Sequence, residues 1–309
     1  MFLSKSSFSQ PGSKAFPTNQ NLSSLFITPN GDIFIGTNYW LLLYHFSKKF
    51  QEKSNYHIGS KINHIDIQTN EDGFNVALAT YDGFVHFLQI DDHAAVQKHI
   101  RTSVFHENSQ LVSINDDTII CAGDDSSLSI LTINDHATIK QTIRKKHKIT
   151  ALKAIKNRIY VGYQNGIIEI LNHDLQKVKG DIILNDPVIE IDWTSLDPVF
   201  ITAQNYYQYN PDLKSIKTSI AFDTTISKAR VQYDSNNTRL FISDNKNGYI
   251  YENGSLLKPI ENVKCVDAAF IGDYLFLIEI NTGVMIPIYN INAVEEQEIE
   301  EEESDDDFD

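Results

Sequence analysis

Apolar residues recur in short runs along this chain, each closed by Asn, Asp or Gly. Residues 76–91, VALATYDGFVHFLQID, set two such runs around Asp82-Gly83. Val, Ile, Tyr and Phe in alternation or in short continuous runs, bounded by turn residues, predict strands. Asp-Gly and Asn-Gly suit tight hairpins, whose central residues need positive φ. Aligned on this turn, the pattern returns at Tyr39-Trp40, Asp125-Ser126, Asn165-Gly166, Asn205-Tyr206, Asn247-Gly248 and Thr282-Gly283. Each interval of about 40 residues also holds two further strand-like runs, such as KITALKAI and QKVKGDIIL in the fourth. No stretch before the C-terminal tail carries a helical apolar period. Four strands per repeat of about 40 residues predict a β-propeller. Seven repeats predict seven blades. Radial closure explains how so much β structure avoids long open edges.

On this period and pattern, residues 20–292 resemble the WD40-repeat family. The Trp-Asp pair that names the family is absent, and Trp40 and Trp193 do not stand at the expected blade ends. The resemblance implies that the aligned turns lie on a binding face. There Tyr39, Trp40, Tyr81, Tyr163, Tyr206 and Tyr207 are the candidate partner contacts, since aromatics are enriched in interface hot spots. It also implies His57 with Asp82, and His147 with Asn165, as remnants of a buried His–Asp network.

The last repeat supplies three strand-like runs before the acidic tail begins. The expected fourth strand is the N-terminus, MFLSKSSF, so residues 1–20 are read as a closing strand and its connection. Residues 21–292 form the propeller, and 293–309 a disordered acidic tail.

Charge sharpens the division. The net charge is −15, but residues 295–309 hold 11 acids and no bases, leaving 30 of the 41 acids to face 26 bases. Glu300, Glu301, Glu302, Glu303, Asp305, Asp306 and Asp307 cannot bury apolar surface and repel one another. Ser304 before three Asp residues is a candidate phosphorylation site. Such a tail points to a basic protein partner, such as a histone or a ribosomal protein. RKKHK, with Arg144, Lys145, Lys146 and Lys148, is the one basic patch; it fits an acidic peptide or a nuclear-import signal. Nothing else has the basic footprint of a nucleic-acid-binding domain.

Catalytic motifs are absent. His106-Glu107 begins an HExxH-like run, but Gln110 stands where the second His is required. DSNNTR at 234–239 begins like a calcium loop, but Arg239 occupies the glycine position. No phosphate loop or nucleophile elbow occurs. The sequence therefore predicts neither enzyme activity, cofactor nor metal. Cys121 and Cys265 lie in apolar strands, as buried thiols of a reducing compartment do. No apolar run is long enough to span a bilayer and no secretory leader is visible. The expectation is a nuclear or cytoplasmic scaffold, monomeric within a hetero-complex. The alternative is an adaptor binding a short peptide on the turn face, with a merely solubilising tail.

Overall fold

The computed structural model describes residues 21–46, 50–104, 108–178, 180–193, 197–233, 238–244, 246–279 and 288–290. These form an all-β propeller of antiparallel sheets with no helix. Six sheets are complete four-stranded blades, spanning 24–57, 62–103, 109–144, 149–183, 188–221 and 228–260. The sequence predicts seven. The last sheet, 265–290, has three described strands; residues 2–8, the segment expected to complete it, lie outside the described residues. Within each sheet the strands follow chain order from the axis outward.

The expected hairpin residues fall at or beside the turns, with two corrections: the loops at 81–83 and 164–166 hold three residues, and Trp40, Asn205 and Gly248 already begin third strands. At Thr80–Gly83 the Gly83 N–H donates to the Thr80 carbonyl (3.2 Å), and only Gly83 is left-handed, at φ 81°. Gly166 repeats this at φ 80°, and Ser126 takes the same conformation at φ 67°. One left-handed residue after a tight turn describes a three-residue hairpin rather than a two-residue one. In blade 5 the turn falls at Ala203-Gln204, and Asn205 already begins the third strand. The expected turn at Thr282-Gly283 lies outside the described residues.

The core lies between blades. Phe34, Leu41 and Leu43 of blade 1 pack on Ile62, Ile65, Val76 and Leu78 of blade 2. Comparable apolar layers fill the successive gaps around the ring. Leu25, Ile33, Ile35 and Leu42 meet Phe276 and Ile278, so the last sheet packs on the first blade. Strands buried on both faces need continuous apolar runs, which is why the second strand of each blade reads DIFIG, TIICAG or PVFIT, without alternation. Cys121 and Cys265 are buried thiols within these layers.

At the axis, inner strands are joined side chain to backbone. Asp66 Oδ2 accepts from the Ile114 N–H (2.9 Å) and the Ser113 hydroxyl (3.0 Å) of the next blade. Ser113 Oγ in turn accepts from the Ala154 N–H (3.0 Å). Asp267 of the last sheet accepts from the Leu25 N–H (2.8 Å) of blade 1. At the perimeter, the outer strand of one blade reaches the outermost turn of the next: the Tyr56 hydroxyl donates to the Ala94 carbonyl (2.7 Å), and Lys140 pairs with Asp174 (2.7 Å).

Asp267 also pairs with Arg230, 2.7 Å away, so removing its carboxylate strands the Leu25 N–H and takes from Arg230 one of its two carboxylate partners. Asp267→Ala is expected to cost about 3 kcal/mol in urea-unfolding measurements, the range for breaking a buried pair from one side. Asp267→Asn, which keeps an acceptor, should cost less.

Candidate functional site

The inner strands are Ser24–Ile27, Ile62–Asn70, Ser109–Asn115, Ile149–Ile155, Val188–Trp193, Lys228–Tyr233 and Cys265–Ile271. They enclose an axial cavity of about 200 Å³. Strand alternation sends every second side chain of an inner strand towards this axis. In most positions that residue would be expected to be small or apolar; here it is often charged. His64, Asp66, Lys153, Glu190, Asp192 and Arg230 all line the cavity.

Two cations hold this cluster together. Lys153 pairs with Asp66 across an intervening blade (3.2 Å). Arg230 pairs with Glu190 of the preceding blade and with Asp267 of the following sheet (2.7 Å), while its Nε donates to the Ala268 carbonyl (3.1 Å). Burial opposes the charge on both cations, yet their carboxylate neighbours raise both pKa values: Asp66 and Asp192 around Lys153, Asp267 and Glu190 around Arg230. Burial also pushes the Glu190 and Asp192 carboxyls up, against the pull of Arg230 and Lys153 respectively. Burial, with Arg230 adding to it, lowers the His64 imidazole to about 4, so it is neutral near pH 7.

The sequence reading missed this channel. Its signal was available in the first run of each repeat. NHIDIQ, ALKAI, VIEIDW, KARVQY and CVDAAF place a charged or polar residue on alternate positions inside otherwise buried strands.

The hairpin turns between second and third strands lie on the same face as the links between blades. Ile58 and Gly59 both donate to the Tyr39 carbonyl, and Tyr81 donates to the carbonyl of Lys61. On this upper face Tyr39 is 56% exposed and Tyr81 62%, on adjacent blades. Trp40 is half-buried, with its ring edge-on to His57 at 4.8 Å. Tyr207 is half-buried on blade 5. Two of the six aromatic candidates are not surface groups. Tyr163 is 2% exposed and donates to Glu169 (2.5 Å), and Tyr206 is 6% exposed in the layer between blades 5 and 6. Both rings turn inward because they continue the apolar face of their strands.

The expected pairing of His57 with Asp82 is absent among the described contacts. Burial alone would raise the Asp82 carboxyl, but hydrogen bonds from Thr80, Arg101 and Ser60 lower it. Arg101 reaches Asp82 at 2.9 Å and covers the Phe84 ring at 3.7 Å. The basic patch is partly neutralised within the fold. Lys145 pairs with Glu169 (2.7 Å) and Lys148 with Asp124 (3.1 Å), while Arg144 and Lys146 are exposed. The acidic tail, Ser304 and His106-Glu107 lie outside the described residues.

The lower face carries the other turns. Glu71, Asp72, Asp92, Asp116, Asp117 and Asp135 are exposed there on blades 2 and 3. The last described residue, Asn290, stands opposite Tyr274, directly after the lower turn at Gly272-Asp273. Among the described residues no group of three His, Cys, Asp or Glu could hold a metal ion, and no helix is long and apolar enough to cross a membrane.

No protein-family model matches the chain, and no curated protein matches it in sequence. Solved structures do match in fold. A chain of the Mitotic Checkpoint Complex crystal structure superposes at a TM-score of 0.68, with 10% identity over 90% of each chain. Raptor of Chaetomium thermophilum superposes at 0.69 and 10% identity over 87% of this chain, which spans 28% of that one. The computationally designed Ika8 protein superposes at 0.63 and 10% identity, over 90% of this chain and all of that one. At this identity the likeness is one of fold.

Two expected outcomes test the placement of these groups. Tyr163→Ala should cost about 3 kcal/mol as a truncated buried aromatic, whereas Tyr81→Ala should stay within about 0.5 kcal/mol in the same denaturation assay. The second concerns His86, a buried ring whose Nδ1 meets His99 Nε2 at 3.0 Å. Burial, reinforced by His99 and Arg101 and opposed by Asp82, lowers it from 6.5 to about 3. A histidine depressed in the fold takes up its proton more readily when unfolded, so its contribution is complete above about pH 6.5 and drains away towards pH 3. The melting temperature should fall over that window, and His86→Gln should flatten the fall.

Proposed function

We propose that this chain is a WD40-like, seven-bladed propeller acting as a non-enzymatic scaffold or assembly-factor subunit. In this reading its lower face and acidic tail engage a basic protein such as a histone or a ribosomal protein. Residues 2–8 would complete the last sheet as its outer strand. The observation that carries the reading is the shared location of charge. The last described strand ends on the lower face, where blades 2 and 3 crowd six exposed carboxylates, and the run of 11 acids follows it in sequence. One negative field on face and tail would draw in a basic surface and speed encounter. The propeller fold, shared with a chain of the Mitotic Checkpoint Complex structure, agrees with a place in an assembly.

A second reading has one observation in its favour. Tyr39 and Tyr81 are exposed on the upper face of adjacent blades, away from the lower-face carboxylates, as a short-peptide site would require. The tail would then serve solubility alone.

Deletion of residues 295–309 separates the two. Biosensor kinetics with a core histone across a salt series should show a slower association for the truncated protein and a shallower salt dependence, with an unchanged melting temperature. Equal association rates for both forms at low salt would remove the tail from the reading. Tyr39→Ala with Tyr81→Ala would then be the pair to weaken a top-face partner.

A further inference from the structure

The basic run Arg144–Lys148 takes part in neither function proposed above, and the fold gives it a definite form. It links the outer strand of blade 3 to the inner strand of blade 4. Backbone bonds pin it to the upper-face turns of both blades. The Lys145 N–H donates to the Ser126 carbonyl (2.9 Å), and the Gln164 N–H donates to the Lys148 carbonyl (3.0 Å). Along the link exposure alternates: Arg144, Lys146 and Lys148 are exposed, while Lys145 and His147 are half-buried. Lys145 is the anchor. Its partner Glu169 is only 22% exposed and also accepts from the Tyr163 hydroxyl (2.5 Å). Lys148 pairs with Asp124 in the open, and exposed pairs of this kind contribute little, so this one is easily exchanged. Arg144 and Lys146 make no ion pair among the described residues. The other carboxylate of the blade 3 turn, Asp125, is occupied by the Ser127 N–H (2.9 Å) and hydroxyl (2.7 Å). The link thus holds three cations outward on a fixed backbone, with the carboxylates of the fold already committed.

We propose that this upper-face link is a docking site for a short acidic segment of a partner protein, held by Arg144, Lys146 and Lys148. Carboxylates supply the charge that the row lacks, and Arg144 takes one of them in a bidentate pair. Charge selects a short segment over a nucleic acid. Outside residues 295–309 the chain carries 30 acids against 26 bases, so a long polyanion would run from this row onto repelling surface. The link also offers no aromatic ring on which a base could stack. The acidic run of the chain itself starts from the wrong place. It follows Asn290, on the lower face of the last sheet, as far round the ring from blades 3 and 4 as the ring allows. The inference goes beyond both readings of function and stands without either.

Fluorescence anisotropy of the full-length protein tests this with a labelled hexa-aspartate peptide, a hexa-asparagine peptide as the neutral control, and an oligothymidylate of the same length. The acidic peptide should bind and the neutral one should not. Arg144→Gln with Lys146→Gln should weaken binding about tenfold or more, with the melting temperature unchanged because both side chains are exposed. Lys156→Gln with Lys214→Gln removes the same charge from exposed positions on the lower face and should leave binding intact. Equal losses in the two double variants would reduce the effect to net charge and overturn the site, as would equal binding of the neutral peptide or no binding at all. Tighter binding of the oligonucleotide than of the acidic peptide would overturn the choice of partner. Replacing Glu300, Glu301, Glu302 and Glu303 by Gln should change the peptide affinity by less than about threefold at physiological salt. A larger rise would seat the chain's own tail on the link and overturn the assignment to a partner.

Discussion

The structure depends on a backbone N–H at the axis finding an acceptor in the neighbouring blade. Inner strands of a propeller are not hydrogen-bonded to one another as strands, so the donors at their axial edges would otherwise be buried and unpaired, at about 1–3 kcal/mol each. Asp66, Ser113 and Asp267 meet that need in three of the gaps, each reaching from its own strand to the next. Ring closure is the case with the longest sequence separation: Asp267 captures Leu25 across 242 residues of chain. Carboxylates in this role bring charge into the interior, and the charge then recruits Lys153 and Arg230. The axial chemistry is thus a consequence of how the ring is held together.

Much of the architecture was legible in the sequence because it depends on local, repeated features. A run such as TIICAG declares a strand buried on both faces, and Asp82-Gly83 declares the turn that follows. The inner cluster was less legible because its members are spread over five repeats. Nothing in KARVQY says that Arg230 will meet Glu190, forty residues earlier, and Asp267, thirty-seven later. Aromatic side chains beside the turns were misread for a related reason. Tyr163 is the last residue of its strand, where Thr80 stands in blade 2, and is sealed against Glu169; Tyr81 is the first residue of its loop and stands in solvent. A one-residue offset at the strand end, invisible until the turn is placed, separates them.

The exposed carboxylates of the lower turns and the paired ones of the upper turns are not distinguished by composition or net charge. The lower turns of blades 2 and 3 are acidic, while the basic run at 144–148 is partly cancelled by Asp124 and Glu169 of the fold itself. Long-range attraction of a basic surface and close-range contact through exposed tyrosines would therefore act from opposite faces of one body.

The axial capture bonds in three gaps and the perimeter contacts from Tyr56 to Ala94 and from Lys140 to Asp174 tie neighbouring blades at two radii. Between blades 3 and 4 both are present, so those blades must be cut at both radii to separate. Local opening is thereby made expensive relative to unfolding of the whole ring, which favours an all-or-none transition. The benefit is protective. A ring that seldom opens part-way seldom offers its inner strands as bare edges, the form in which a sheet-rich chain is most prone to seed aggregates.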